Sequence, residues 1–317
     1  VKPQFAINDI DLAGVRSVPN FTPAESVVKI LQRNPEASLC LVRTSSVGDI
    51  LLMTPMFYRI KELFPLCRLL FATVPHYEPL FRYFDLIETV KIKLVEYQDY
   101  DFGYDFNLAL ERAERAGWGK QYHRSAIYAR LLGLELTEYR YALAYSEKEK
   151  RMAEQILVSK GYTGGPLVAF QLRGASAQRS FPLSKAKRII EKLSERVQVA
   201  LIDGDPSVGW TGSNVINLCG ATGLLELAAV LDMCELVVST DSGLTHMAGS
   251  LGKKNVAFFA CIPSENRVRY PHCRVVDLAT LHGCRPCWED GDRCGRGWHC
   301  LQKADEGVVY ERIMESL

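Results

Sequence analysis

Leu39-Cys-Leu-Val-Arg43-Thr-Ser-Ser-Val-Gly-Asp49-Ile-Leu-Leu-Met-Thr-Pro55 decides the fold class. Its opening apolar run is short and continuous, as in a strand covered on both faces, and the small residues that follow let the backbone turn sharply at the strand's end. Thr54 and Pro55 then suit a helix N-cap and first helical position, with Phe57, Ile60, Leu63 and Phe64 on one face of a helix over 54–64. A helix that starts near Gly48 and kinks at Pro55 is the alternative. Outward from this stretch, short apolar runs alternate with amphipathic segments, the pattern of βαβ units around a parallel sheet. Strands are expected at 39–42, 69–73, 86–90 and 105–108, and helices at 77–84 and 121–132.

A charged helix over 146–160 ends in Gly161-Tyr-Thr-Gly-Gly-Pro166, a stop and turn that reads as a hinge. A second alternation follows, with strands at 167–170, 199–202, 236–239 and 256–259 and helices at 184–193, 224–231 and 244–251. The chain is also longer, at 317 residues, than the ~250–300 at which single cores stop growing. The expected architecture is therefore α/β, with two Rossmann-like doubly wound domains facing a cleft and ligands at the carboxyl ends of the strands. The expected division is an N-terminal arm at 1–38, a first domain at 39–160, a second at 161–300 and a C-terminal helix at 301–317.

Composition narrows the function. Lys+Arg 38 against Asp+Glu 37 leaves almost no net charge, so the broad basic field of a dedicated nucleic-acid binder is missing. No apolar run approaches the ~20 residues that cross a bilayer, and residues 1–20 lack the basic-then-apolar layout of a signal peptide. A cytoplasmic location is expected. Of the ten cysteines, six are scattered among apolar neighbours and read as reduced core residues.

Three loops at expected strand ends carry candidate chemistry. In the first, Asp49 stands at the sheet's carboxyl edge, where a carboxylate can act as general base or simply cap a helix. In the second, Ser239-Thr-Asp-Ser-Gly-Leu-Thr-His246, a strand runs through a turn into a helix whose N-terminal N–H groups suit a diphosphate. Gly243 permits close approach, Asp241 is placed to accept a sugar hydroxyl, and a cationic His246 would add attraction; a tight turn with a capping Asp is the simpler reading. In the third, Gln171-Leu-Arg-Gly-Ala-Ser-Ala-Gln-Arg179-Ser-Phe-Pro182, Arg173 and Arg179 flank a small-residue loop and can stabilise a departing diphosphate, unless they are solvated surface arginines.

Arg43 to Pro55 resembles the opening of the lipopolysaccharide heptosyltransferases, glycosyltransferase family 9, and Val237-Val-Ser-Thr-Asp-Ser-Gly-Leu-Thr-His-Met-Ala248 resembles their donor signature. Arg179-Ser-Phe-Pro182 and Asn217-Leu-Cys-Gly-Ala-Thr-Gly-Leu-Leu-Glu-Leu227 resemble the segments between, in the family's order and spacing. The resemblance implies a GT-B fold, with the acceptor on the first domain, the nucleotide sugar on the second, and an inverting transfer that needs no metal for catalysis. It implies that Asp49 is the base, with Ser45, Ser46 and Gly48 in the acceptor-side loop. The donor residues it implies are Arg173, Arg179, Thr240, Asp241, Ser242, Gly243, Leu244 and His246. The family usually has Lys at position 179; Arg keeps the charge but spreads it over a planar fork.

Cys284, Cys287, Cys294 and Cys300 form a CxxC with two wider-spaced partners, a set that suits a closed structural zinc or iron site in a small Cys-rich knob. His299 is a substitute ligand, and disulfides or free thiols are the alternatives. In family members that modify autotransporter proteins, the corresponding group resembles an iron-binding motif. The function expected is transfer of heptose from ADP-heptose to a hydroxyl of lipopolysaccharide core or of a protein, at the cytoplasmic face of the inner membrane, with peripheral membrane contact and homo-oligomerisation left open. The alternatives are a GT-B nucleotide-sugar epimerase and a non-catalytic binding module. The epimerase fits less well, because Leu244, Thr245 and His246 stand where acidic residues are expected after the turn.

Overall fold

The computed structural model describes residues 26–92, 94, 100–281, 283–284 and 299–317. The chain divides into two compact units between Ala142 and Leu143. In the first, helix α1 (Val27–Arg33) buries Val27, Ile30 and Leu31 on one face, and Ser26 Oγ donates to the Leu132 carbonyl. The described part of the expected arm is thus built into this unit. Strand β1 (Ser38–Val42) leads into a short helix α2 (Val47–Leu51) and then α3 (Thr54–Leu63), which has Pro55 in its first turn. Strands β2 (Arg68–Thr73), β3 (Glu88–Lys91) and β4 (Phe102–Asp105) follow, then helices α4 (Ala109–Arg115) and α5 (Arg124–Leu131). All pairings are parallel, in the order β3-β2-β1-β4.

The second unit begins with helix α6 (Glu147–Ser159), opened by a capping box between Ser146 and Glu149. Strands β5 (Leu167–Gln171) and β6 (Gln198–Ile202) flank helix α7 (Leu183–Ser194). Then come β7 (Val215–Asn217), α8 (Leu224–Met233), β8 (Leu236–Thr240), α9 (Gly243–Ser250), β9 (Asn255–Phe259) and β10 (Cys273–Asp277). The sheet is parallel in the order β10-β9-β8-β5-β6-β7. Its central strands are covered on both faces, which is why they read as unbroken apolar runs rather than alternating ones. Short helices α10 (Leu278–Leu281) and α11 (His299–Gln302) precede α12 (Glu306–Met314).

Four differences from the sequence reading have local causes. The fourth strand is Phe102–Asp105 rather than 105–108, because Asp105 Oδ1 accepts from Asn107 N–H and turns the chain out of the sheet. The segment 77–84 forms only a 3-10 turn at Glu78–Phe81, opened by Pro79. Helix α6 belongs to the second unit rather than the first: it packs along α8, and Tyr145 Oη donates to Asp232 at 2.5 Å. The terminal helix α12, expected as a segment of its own, is part of the second unit, with Val309, Tyr310 and Ile313 in its core and Arg188 of α7 paired to Glu306.

Candidate active site

Each unit has a topological switch point, where loops leave adjacent strands in opposite directions and a ligand-binding crevice opens. In the first unit it lies between β1 and β4. Arg43, at the end of β1, is 3% exposed. Its Nη1 donates to the Phe106 carbonyl at 3.0 Å, while Nη2 meets Asp49 Oδ2 at 2.7 Å and Glu111 Oε1 at 2.8 Å. Asp49 sits in the first turn of α2 with its other oxygen, Oδ1, taken by Arg124 Nη1. Arg124 in turn grips Glu114 through two bonds of 2.9 and 2.8 Å. The expected base is thus held between two guanidinium groups, themselves backed by carboxylates on α4.

Burial works against the charge on Arg43, yet Tyr128, Asp49 and Glu111 hold its pKa above the ordinary arginine value. Arg124 behaves alike: burial opposes its charge and Asp49 and Glu114 restore it. One turn beyond Arg124, the fully buried Tyr128 hydroxyl is pushed up by burial, in part offset by Arg43. The loop is shaped by Thr44, whose N–H and hydroxyl both donate to Asn107 Oδ1. Leu108 adopts a left-handed backbone at φ 63° where α4 begins, turning that helix so that Glu111 and Glu114 face the arginines. Ser46 is exposed, Ser45 half-buried and Gly48 buried.

In the second unit β5 lies between β8 and β6, so the loops after β5 and β8 meet. Gln171 joins them: its Oε1 accepts from Ser242 Oγ at 2.6 Å and from Thr240 N–H at 3.4 Å, while its Nε2 donates to the Arg173 carbonyl at 2.8 Å. Arg173 turns its guanidinium to Asp203, at 2.8 and 2.7 Å, and to Asp205 at 3.2 Å. The loop then doubles back tightly, since a Cβ at Gly174 would lie 2.4 Å from the Arg179 carbonyl oxygen. Arg179 ends a 3-10 turn, Ala177–Arg179, against which α11 leans. Its carbonyl accepts from Thr240 Oγ1 at 2.5 Å, and its Nε lies 3.4 Å from Asp241 Oδ2.

Asp241 is 6% exposed, and its Oδ2 accepts no hydrogen bond among the described residues. Helix α9 opens at Gly243. The side chain of its N-cap residue Ser242 makes no capping bond and gives its hydroxyl to Gln171 instead. Leu244, Thr245 and His246 are buried, so a ligand at this helix start would meet Leu244 through its backbone. Thr245 Oγ1 pins the turn by donating to the Thr240 carbonyl at 2.6 Å. His246 Nδ1 lies 2.9 Å from Tyr270 Oη.

The structure therefore gathers Asp49 with Ser45, Ser46 and Gly48 at one strand edge, and Arg179 with residues 240–246 at another. Sequence reasoning did not find Arg124, Glu111, Glu114, Gln171 or Tyr270 as site residues. None stands at a readable spacing from its partner except Gln171, which directly ends a strand.

A cavity of about 440 Å³ on the flank of α3 includes none of these residues. Its cations are engaged: Arg59 pairs with Glu62, Lys61 bonds the Cys67 carbonyl, and Arg140 lies over the Tyr58 ring. Of the expected metal ligands, Cys287 and Cys294 lie outside the described residues, and Cys284 and Cys300 are half-buried. No group of metal-binding side chains occurs among the described residues. Among them also, no helix is long and apolar enough to cross a membrane.

Residues 120–293, more than half of the chain, match glycosyltransferase family 9 (heptosyltransferase). The chain belongs to that family. No curated protein is significantly similar to it in sequence. Among solved structures, this family 9 glycosyltransferase is similar to the family 9 glycosyl transferase of Veillonella parvula DSM 2008, with 15% identity, 88% of this chain and 95% of that one covered, and a TM-score of 0.68. For the E. coli ADP-heptose lipopolysaccharide heptosyltransferase II the values are 16%, 88%, 98% and 0.67. For TibC, described as an iron-containing dodecameric glycosyltransferase of enterotoxigenic E. coli H10407, they are 16%, 88%, 76% and 0.66. At these identities the likeness establishes the fold, that of the GT-B heptosyltransferases. Membership of the family makes the chain a glycosyltransferase.

Proposed function

We propose that this enzyme moves a heptose from ADP-heptose to a hydroxyl of lipopolysaccharide core or of a protein side chain, with inversion at the anomeric carbon. The observation that carries the donor half is the start of α9 at the second unit's switch point, where the N-cap residue Ser242 makes no side-chain capping bond to the first-turn N–H groups. A diphosphate satisfies such groups and suits the positive end of a helix. Arg179 offsets Asp241 there, so the carboxylate does not repel the phosphates, and Asp241 Oδ2 is left to accept a sugar hydroxyl. Thr240 holds the Arg179 loop by its carbonyl. In this reading Arg173, its charge balanced by Asp203 and Asp205, shapes the loop.

Asp49 takes the acceptor half. The acceptor oxygen bonds to the anomeric carbon, the bond from that carbon to the diphosphate oxygen breaks, the proton passes to Asp49, and ADP leaves against Arg179 and the α9 start. A carboxylate offers about four lone-pair sites, so the two arginines orient Asp49 without exhausting it. The small loop Ser45, Ser46 and Gly48 leaves room for the acceptor.

We also read Cys284, Cys287, Cys294 and Cys300 as a structural iron or zinc site, supported by the likeness to iron-containing TibC. The contact between α10 and α11 fits this, because it brings together the two elements that bound the segment, with Cys300 packed on the core of the unit. The metal would hold the fold and take no part in transfer. Assembly of several copies, and work at the cytoplasmic face of the inner membrane, accompany this reading.

Mass spectrometry after incubation with ADP-heptose and either acceptor class tests the proposal. A heptose added to one acceptor, with ADP released, is the expected result. No product with either, or transfer from another nucleotide sugar only, overturns it. Metal analysis of the purified protein tests the cysteine site: absence of stoichiometric iron and zinc defeats it.

A further inference from the structure

We propose that Glu111 is a positioning residue for the transfer step: through Arg43 it sets the strength with which Asp49 takes the acceptor's proton. The proposal rests on the reading of Asp49 as base given above. Arg43 joins the two carboxylates, with Asp49 Oδ2 at 2.7 Å and Glu111 Oε1 at 2.8 Å from the same nitrogen, Nη2.

A guanidinium group carries five N–H donors, and on Arg43 each has an acceptor. Nε donates to the Ser45 carbonyl at 2.5 Å, Nη1 to the Phe106 carbonyl at 3.0 Å and to Glu111 Oε2 at 3.4 Å, and Nη2 to Asp49 Oδ2 and Glu111 Oε1. Glu111 thus takes a hydrogen from each terminal nitrogen. Among the described residues it is the one partner of Arg43, besides Asp49, that carries charge. Its side chain is 34% exposed, against 3% for Arg43 and 13% for Asp49, so it can be replaced at the rim without uncovering the pair beneath.

Distance fixes the sign of the effect. Two oxygens bonded to one nitrogen stand no farther apart than the two bonds laid end to end, and a negative charge that near favours the protonated form of its neighbour. Arg43 and Arg124 act on Asp49 the opposite way, each favouring the carboxylate and so weakening it as a base. Glu111 offsets Arg43, and Glu114 backs Arg124 in the same sense. Tyr128 on α5 and Tyr77 in the turn after β2 also feel Asp49; burial first and then its charge push both phenols up, so they stay neutral. A general base works best when its proton affinity is as high as ionisation at the working pH allows. Glu111 therefore lets Arg43 orient Asp49 while returning part of the basicity that a lone guanidinium takes away.

Steady-state kinetics of the full chain with ADP-heptose, on the acceptor class found by mass spectrometry, are followed against pH for the wild type, Glu111→Gln and Glu111→Asp, beside their melting temperatures. Gln removes the charge and keeps an oxygen for Nη2; its amide NH2 falls to the longer contact with Nη1. Expected in Glu111→Gln are a kcat about three- to tenfold lower at neutral pH, an unchanged donor KM, and an acidic limb of the kcat profile displaced to lower pH by at least about half a pH unit. Glu111→Asp keeps the charge and should recover kcat to within about twofold of the wild type, with its limb in place. A loosened site lowers the melting temperature and kcat in both variants alike and leaves the limb where it was, and that result overturns the role. Wild-type kcat and limb in Glu111→Gln, beside an inactive Asp49→Asn, overturn it as well and leave Asp49 as base. Full turnover in Asp49→Asn overturns the base assignment and this role with it.

Discussion

Arg43 Nη2 lies 2.7 Å from Asp49 Oδ2, and the opposite oxygen of the same carboxylate belongs to Arg124. Asp49 is therefore both the proposed base and the link between two enclosed cations, and substitutions separate the roles. Asp49→Ala leaves both arginines short of a partner, and breaking such a pair costs about 3–5 kcal/mol. Asp49→Asn keeps the shape and one oxygen acceptor, but turns its amide NH2 toward the second guanidinium. The Asn variant is expected to melt below the wild type and above Asp49→Ala while its turnover falls at least a thousandfold. Retention of a tenth of the activity would show that Asp49 only orients its neighbours.

Glu114 reaches the site through Arg124, whose fork meets Glu114 and Asp49 together. Lysine has a single point charge and cannot hold both. Arg124→Lys should lower the melting temperature and cut turnover about tenfold or more, with ADP affinity unchanged because the change is confined to the first unit. Calorimetric titration beside steady-state kinetics reads both; a loss of ADP affinity refutes the expectation.

Gln171 meets two loops with a neutral amide, donating on one side and accepting on the other. Gln171→Glu removes the donor and sets a negative charge against the Arg173 carbonyl, beside the proposed diphosphate position. The expected result is a rise in donor KM of more than tenfold, larger than in Gln171→Ala, with kcat less affected. An equal effect of the two substitutions counts against an anion at this site.

Burial pushes the thiols of Cys40 and Cys234 up to about 12, and burial likewise raises Cys67 and Cys219 to about 11. The native protein at pH 8 should leave these four unalkylated by iodoacetamide over hours, since only the thiolate reacts. The sign for stability follows: the folded state holds these protons above the pH at which the unfolded chain loses them. Their contribution is complete below about pH 9 and declines as pH rises beyond it. Urea midpoints measured from pH 7.5 to 11 should fall only in the upper part of that range.

Much of the fold was legible because central strands of a parallel sheet are apolar throughout. Leu167–Gln171 and Leu236–Thr240 announce themselves, whereas the edge strand Cys273–Asp277 is half-exposed and carries charge at Arg274 and Asp277. The unit boundary was read at the Gly161 turn, but Tyr145 and the buried face of α6 commit that helix to the second unit before the glycines are reached. In the site, Asp49, Arg179 and Asp241 stand in local motifs. Arg124 is 75 residues from the carboxylate it holds, and no local spacing expresses such a partnership. Tyr270 escaped for the same reason.

The amide of Gln171 has a consequence for the entropy of binding. Two loops that leave neighbouring strands would ordinarily fluctuate separately, and a nucleotide would have to immobilise each of them. Joined through one half-buried amide, they are tied together before any ligand arrives, so a nucleotide at the proposed donor site would have less independent loop freedom left to quench.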